Sequence, residues 1–239
     1  MARKSLRHVA LACALTAGQP AHAQAVDPAN GTCPPNPDWS AYPEMRFTVQ
    51  DRGGRRVLLA EGQIDSNLIP RLQAALQDQM IEEIWLRSPG GDARVGNQAG
   101  VLIRESGLPT RIPAGWACAG SCAFMFLGGI SRTVEPGGLY ILQMFTFTGN
   151  REEIRRQFAR GDEASANFLT DIARQSAELA TEDNDYLVRM GVSRSLLTEV
   201  VYRQRAVATA AGGPTWRCLT DAELRRYNVA QGFNPVSPR

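Results

Sequence analysis

The chain is organised around two short segments, Ser88-Pro89-Gly90-Gly91-Asp92 and Cys118-Ala119-Gly120-Ser121-Cys122. The first segment follows a hydrophobic run, and the serine of the second begins another. Paired glycines at a strand end allow a tight turn and close approach of the backbone. A serine at a strand-to-helix turn places its hydroxyl where backbone N–H groups favour negative charge. The pattern therefore predicts an acyl-transfer site.

The same residues also fit a plainer interpretation. A glycine amide and the Cys122 amide that face each other would form an oxyanion hole for a reacting carbonyl. Gly90-Gly91 could equally be a turn, and Gly120-Ser121 could merely cap a helix. Taken alone, these residues favour the turn and the cap over the oxyanion hole.

The first 23 residues are typical of a secretory signal peptide. Arg3, Lys4 and Arg7 precede a short apolar run, and Ala21-His22-Ala23 is a cleavage signal. We expect a cut after Ala23 and a periplasmic or secreted protein. An uncleaved N-terminal helix is the alternative, but its apolar run is too short to span a bilayer. No other apolar run is long enough, so we expect no membrane insertion after cleavage.

Cleavage would also change the chemistry that the chain can perform. His8, His22 and Lys4, which lie in this segment, are the histidines and the lysine of the whole sequence. The formal net charge of +2 would fall to −1, because three basic residues and no acidic ones are removed. The mild basicity of the full chain therefore gives no indication of a nucleic-acid partner, and we expect none.

Cysteine usage predicts disulfides. Without Cys13 in the signal segment, the chain keeps Cys33, Cys118, Cys122 and Cys218. In an oxidising compartment these favour two disulfides, for which three connectivities exist. We favour Cys33–Cys218 and Cys118–Cys122, the second of which requires a strand-to-helix turn that brings the Cα atoms within about 7 Å. A zinc site is the alternative, but the spacing suits zinc poorly. We expect no metal and no cofactor.

Strand and helix patterns alternate along the chain, which is typical of an α/β fold with a mainly parallel sheet. Residues 24–54 form an N-terminal arm and the start of a hairpin, and residues 55–235 form the domain. Asp65 or Ser66 is predicted to cap a helix over residues 67–79. A helix over residues 121–127 is apolar on all sides, which predicts that it is buried.

From residue 150 the composition becomes charged and helical, with helices predicted over 151–160, 162–190 and from Ser193 to about residue 202. The long helix is amphipathic and carries Phe168, Leu169, Ile172, Ser176 and Leu179 on one stripe. Thr220-Asp221-Ala222-Glu223 is typical of a capping box for a terminal helix.

The order of the segments resembles the proteolytic subunit of Clp protease and, more broadly, the Clp-protease/crotonase superfamily. Four segments carry the resemblance, in chain order: Val57-Leu58-Leu59, Gly62-Gln63-Ile64-Asp65, Ile84-Trp85-Leu86-Arg87-Ser88-Pro89-Gly90-Gly91 and Ala119-Gly120-Ser121-Cys122-Ala123-Phe124. It extends through Arg132 and Pro136 and covers roughly residues 55–230. The resemblance implies a ββα superhelical spiral with a C-terminal helical segment. It also implies a homo-oligomer, because family members assemble into rings through an outlying helix like 162–190.

Carried over residue by residue, the resemblance gives Ser121 the nucleophile position and gives Gly91 and Cys122 the two oxyanion-donor positions. Gln143 stands where the family has its general-base histidine. The family aspartate would fall in residues 203–209, which contain no carboxylate. A serine hydroxyl needs a base to take its proton. With no histidine or lysine beyond residue 23, neither a Ser-His-Asp triad nor a Ser-Lys dyad can form.

Carboxylates are the bases that remain. Asp92 and Glu135 are the nearest to the site in sequence, and either would need burial to raise its pKa. The favoured interpretation of Asp92 is a helix N-cap, and that of Glu135 is a solvated strand end. Cys122 could be an alternative nucleophile, but it too lacks a base and is expected to be oxidised. Gln143 can donate and accept hydrogen bonds, which suits the binding of a peptide or amide.

The leading hypothesis is an exported Clp-protease-like domain that has lost peptidase chemistry and binds a peptide or protein ligand or serves assembly. The second is a serine peptidase or hydrolase that uses an unusual carboxylate base. That hypothesis predicts a carboxylate within about 3 Å of the Ser121 hydroxyl or of a water in the pocket. The third is an inert structural protein whose disulfides and amphipathic helices serve assembly alone.

Overall fold

The computed structural model describes residues 33–34, 36–78, 80–143, 151–203 and 216–231. The predicted signal peptide 1–23 lies outside these residues. So do residues 24–32 of the arm and residues 204–209. The latter make up nearly all of the segment in which the family aspartate was expected.

The main sheet has the strand order β1-β2-β3-β4-β6. Its strands are β1 (Arg46–Arg52), β2 (Arg55–Glu61), β3 (Glu83–Arg87), β4 (Thr110–Ile112) and β6 (Arg132–Val134). The hairpin β1–β2 is antiparallel, and the pairs β2–β3, β3–β4 and β4–β6 are parallel. Residues 57–60 of β2 are buried without alternation, as expected for a parallel strand that is covered on both faces.

A smaller sheet has the order β5-β7-β8, with β5 (Ala117–Ala119), β7 (Leu139–Gln143) and β8 (Trp216–Cys218). Consecutive strands β4 and β5 enter different sheets, and so do β6 and β7. Isolated bridges between Ile64 and Gly91 and between Ser88 and Cys118 continue the smaller sheet beyond β2 and β3. Two strands and a helix therefore repeat along a spiral. The prediction of an α/β fold is confirmed.

The helices are α1 (Leu68–Ala75), α2 (Ala93–Ser106), α3 (Ser121–Leu127), α4 (Arg151–Phe158), α5 (Asp162–Arg189) and α6 (Asp221–Arg226). Every residue of α3 is buried, as predicted. The capping box at Thr220 and Glu223 is also present. Most of α5 is solvent-exposed, and Tyr186 and Leu187 near its C-terminal end are its buried residues.

Several local predictions are wrong. Helix α1 ends at Ala75 instead of residue 79, and its N-cap is Asn67. Asp65 does not cap this helix: it accepts a hydrogen bond from the Asn67 N–H and pairs with Arg71. The helix predicted from Ser193 is a π-helical turn, Leu196–Val201. Strand β5 is absent from the sequence prediction, because three small residues between turns give no measurable period.

Two disulfides join the predicted cysteine pairs. Cys33 and Cys218 have Cα atoms 5.0 Å apart, and Cys118 and Cys122 have Cα atoms 5.3 Å apart. The first ties the N-terminal arm to β8, where Trp39 and Trp216 also pack edge to face at 4.7 Å. The second joins β5 to α3 on either side of Ser121. All four sulfurs are therefore bonded to one another and not available as zinc thiolates.

Disulfides persist in oxidising environments, so both bridges indicate a compartment other than a reducing cytoplasm. Among the helices of the described ranges, none combines the length and the apolar character that crossing a bilayer requires.

Gly100 allows helices α2, α3 and α5 to meet. A Cβ atom at Gly100 would overlap the hydroxyl oxygen of Tyr186, and that buried hydroxyl donates a hydrogen bond to the Phe124 carbonyl at 2.7 Å. We expect Gly100→Ala to lower the free energy of unfolding by about 2 kcal/mol, although alanine favours the helix. Urea unfolding checks this, with Gln98→Ala on the exposed side of α2 as the control. Equal stability of the two variants would contradict it.

Candidate functional site

The two motifs that opened the sequence meet at one point of the fold. Gly90 has φ 91°, and a Cβ atom there would lie 2.6 Å from the Ala119 carbonyl oxygen and 3.2 Å from the Ser121 nitrogen. Ser88 and Ala119 pair directly, since the Ala119 N–H donates to the Ser88 carbonyl at 2.9 Å. The glycine pair is therefore needed because the turn before α2 lies against the turn before α3.

Ser121 is the first residue of α3 and is 7% exposed. Its hydroxyl oxygen is buried and has no hydrogen-bond partner within the described part of the chain. Helix α2 covers it from one side, because a Cβ atom at Gly96 would lie 2.7 Å from the Ser121 Cβ. A buried hydroxyl without a hydrogen-bond partner lowers the stability of the folded protein. We therefore expect this hydroxyl to bind a ligand or a water.

The predicted oxyanion donors lie on the two turns. Gly91 has φ 151°, and a Cβ atom there would overlap the Ile64 carbonyl oxygen. Ile64 bonds to Gly90 and Asp92, which leaves the Gly91 N–H outside that ladder. Cys122 is the second residue of α3, where a backbone N–H has no partner within the helix. The roles of Gly91 and Cys122 as oxyanion donors stay a prediction, and the Cys122 sulfur is held in the disulfide.

Gln143 is the last residue of β7 and pairs with Trp216 of β8. Its side-chain oxygen lies 3.1 Å from the position that a Cβ atom of Gly120 would take. Gly120, with φ 56°, is the residue immediately before Ser121. The fold therefore brings the side-chain amide of Gln143 next to the serine turn.

A cavity of about 620 Å³ joins these groups. Gly91, Ser121 and Gln143 line it, whereas Cys122 is not among the described residues of the lining. The other polar side chains of the lining are Gln63, Asn97, Ser176, Asp183 and Tyr202, and its larger apolar ones are Phe124, Leu179 and Val201. The volume is that of a typical small-ligand or short-peptide site.

Neither carboxylate considered from the sequence reaches the cavity. Asp92 is the N-cap of α2 and accepts a hydrogen bond from the Val95 N–H at 3.0 Å. Glu135 pairs with Arg111 at 2.9 Å and accepts a hydrogen bond from the Ala114 N–H. Both therefore serve the structure, as the favoured interpretation predicted for Asp92; Glu135 is tied to Arg111 instead of solvated.

Sequence reasoning missed Asp183. It lies on α5, lines the cavity, and accepts a hydrogen bond from the Asn97 side-chain amide at 2.9 Å. Burial raises the pKa of Asp183 to about 6, and the neighbouring charge of Glu182 acts in the same direction. The stripe through Ser176 and Leu179 reaches position 183 one turn later, but the sequence does not show which face of α5 meets α2.

A carboxylate hydrogen-bonded to Ser121 is absent among the described residues, because the hydroxyl has no partner there. Gly96 touches Ser121, and the next residue, Asn97, binds Asp183. Two consecutive residues of α2 therefore contact Ser121 and Asp183 respectively. The described residues place no carboxylate against the Ser121 hydroxyl. A carboxylate within reach of a water in the pocket stays a prediction, and Asp183 is an acid that shares the cavity.

Comparisons with known proteins give structures but no sequence relatives. No protein-family model matches the sequence, and no curated protein matches it. Among solved structures, ClpP1 from Listeria monocytogenes is 13% identical over 74% of this chain and 89% of its own, with a TM-score of 0.47. A single-residue mutant of the same protein gives 14% identity, the same coverage and a TM-score of 0.49.

A mutant of the membrane-bound stomatin-specific protease 1510-N is 15% identical over 74% of this chain and 76% of its own, with a TM-score of 0.42. The chain is similar in fold to Clp-protease-like proteins. At such identities the likeness concerns the fold alone, so it transfers no residue role.

Proposed function

We propose that this protein is an exported, non-catalytic member of the Clp-protease-like fold that holds a peptide or another amide in the cavity around Ser121. The observation that carries the proposal is the buried Ser121 hydroxyl, which has no partner among the described residues. The described residues around it offer ligand-binding groups and include neither a histidine nor a lysine.

The chemistry of the lining supports binding. Proton abstraction from serine requires a base whose pKa lies near neutrality. The groups that surround the cavity with Ser121 include the amides of Gln63, Asn97 and Gln143. An amide cannot take the proton, but it donates and accepts hydrogen bonds, as a peptide backbone requires. The backbone donors at Gly91 and Cys122 would then hold a carbonyl without activating it.

Export and assembly belong to the same proposal. The two disulfides support a periplasmic or secreted location, for which the predicted signal peptide would provide the route. The ligand would be a peptide or a segment of a partner protein. The homo-oligomer that the family resemblance implies also stays a proposal, and the exposed Phe158 and Leu169 on α4 and α5 favour it.

A fluorophosphonate probe and neutral end-capped peptides test the proposal on the chain that begins at residue 24. We expect no covalent labelling of Ser121, together with reversible peptide binding measured by calorimetry. Ala180→Trp, which fills the cavity from α5, should abolish binding. Ala177→Trp on the exposed side of the same helix should leave it unchanged. Stoichiometric labelling that disappears in Ser121→Ala would refute a non-catalytic role.

A hydrolase with a carboxylate base is the second candidate, and Asp183 favours it. Burial raises the pKa of this acid to about 6, which is close to the value that suits a general base. It would have to act on Ser121 through a water. The same labelling experiment separates the two functions, because this candidate requires labelling that Asp183→Asn suppresses.

A further inference from the structure

Asp183 gives the cavity a charge that the described residues leave unbalanced. Among the described residues that line the cavity, Asp183 is the one that ionises below neutral pH, and none is an arginine. Its hydrogen bond comes from the neutral amide of Asn97. Because burial weakens the screening of charge by water, a lone carboxylate here attracts a cation strongly.

The nearest basic side chain on α2 is already engaged. Arg94 pairs with Glu182 at 3.0 Å and with Glu178 at 3.6 Å. Both carboxylates lie on the half-exposed side of α5, away from the cavity lining. Arg94 thus has two counter-charges of its own, and Asp183 forms no ion pair within the described residues.

A second acceptor lies beside the carboxylate. The Asn97 side chain gives its N–H to Asp183, so its oxygen is left buried, without a hydrogen-bond partner among the described residues. An ionised carboxylate only accepts hydrogen bonds, which fixes this orientation of the amide. Two neighbouring acceptors with no donor of their own suit a group that carries several N–H bonds, such as an ammonium or a guanidinium.

We propose that the cavity selects peptides that carry a cationic group, which is held between Asp183 and the Asn97 oxygen while the peptide backbone lies at Ser121 and Gln143. This inference rests on the proposed binding function. Leu179, Val201 and Phe124 supply apolar surface for the aliphatic stem of an arginine or lysine side chain. A free amino terminus offers the same charge without such a stem.

The test compares an end-capped alanine tetrapeptide containing one arginine with the same peptide containing citrulline, its neutral isostere. Calorimetry on the chain from residue 24 at neutral pH should show the arginine peptide binding about tenfold more tightly. Asp183→Asn should remove this preference and leave the affinity for the citrulline peptide unchanged. Asp185→Asn, which changes an exposed acid of the same helix, should keep the preference.

Each outcome decides a separate point. Equal binding of the two peptides to the wild type would overturn the cation preference and leave the proposed binding function intact. Failure of both peptides to bind would refute the binding function itself, and the preference with it. A preference that persists in Asp183→Asn would overturn the assignment of the site. A citrulline peptide with a free amino terminus identifies which source of the charge binds better, and its gain should also depend on Asp183.

Discussion

Replacing Arg132 by methionine is expected to lower the free energy of unfolding by about 3–5 kcal/mol. Arg132 lies on edge strand β6 and is 3% exposed. Within the described part of the chain, its guanidinium donates hydrogen bonds only to backbone carbonyls. These belong to Leu127, Gly129, Met190, Asn228 and Val229 and lie at 2.7–3.5 Å. Methionine matches its aliphatic length but offers none of these carbonyls a donor.

The position of these carbonyls explains how the charge is tolerated. Leu127 ends α3 and Met190 follows α5, so the guanidinium lies where two helix dipoles are negative. Burial nevertheless lowers the pKa of Arg132, and the positive charge of Arg104 lowers it further. The residue therefore joins the ends of two helices to the segment at Asn228 and Val229, which follows α6.

Urea unfolding with intact disulfides measures the effect. Arg225→Met on the exposed side of α6 is the matched control and should change stability by less than about 0.5 kcal/mol. Arg132→Lys should give an intermediate loss, because an ammonium keeps the charge but cannot reach all five carbonyls. If Arg132→Met lowers the free energy of unfolding by less than about 1 kcal/mol, the hydrogen bonds from Arg132 do not stabilise the fold as expected.

Much of the fold could be predicted from local patterns. The buried strands β2 and β3, the wholly buried α3 and the cap at Asp92 each follow from residues adjacent in sequence. The turns at Gly90-Gly91 and Gly120-Ser121 could also be predicted locally, because their positive φ angles favour glycine. Elements without a local pattern were missed, as β5 and the π-helical turn show.

The candidate site was predictable in part for the same reason. Gly91 and Ser121 could be placed because short motifs mark their turns, whereas Gln143 was placed through the family resemblance. Asp183 could not be placed in this way, since its role depends on which face of α5 meets α2. The environment of Arg132 likewise depends on a segment more than ninety residues away in sequence, at Asn228 and Val229. Tertiary contacts of this kind cannot be predicted from the pattern of neighbouring residues in the sequence.

Asp183→Asn is expected to make the folded protein more stable near neutral pH. Burial raises the folded-state pKa of this carboxyl to about 6 from an ordinary value of 3.8. The folded protein therefore holds this proton more tightly than the unfolded chain does, so stability falls as the pH rises from about 4 to about 6 and stays reduced above that. Each tenfold change in proton affinity corresponds to about 1.4 kcal/mol, so the buried charge costs roughly 2–3 kcal/mol.

The variant removes that cost but keeps the local contact. An asparagine at 183 retains an oxygen that accepts the hydrogen bond from Asn97, and it carries no charge at any pH. Glu182 on the same helix, Arg94 on α2, and the two tyrosines that Asp183 influences, Tyr186 and Tyr202, are present in both proteins. The difference in stability between the two proteins therefore isolates this one carboxyl.

Urea unfolding of both proteins at pH about 4 and about 7.5 checks the prediction. The variant should match the wild type at the lower pH and exceed it by roughly 2–3 kcal/mol at the higher one. Asp185→Asn should show no such pH-dependent difference, because that side chain is exposed. A variant less stable than the wild type at neutral pH would show that the carboxylate has a stabilising partner. It would then not be available to a cationic ligand, whereas an acid that lowers stability inside a cavity is typical of a functional group.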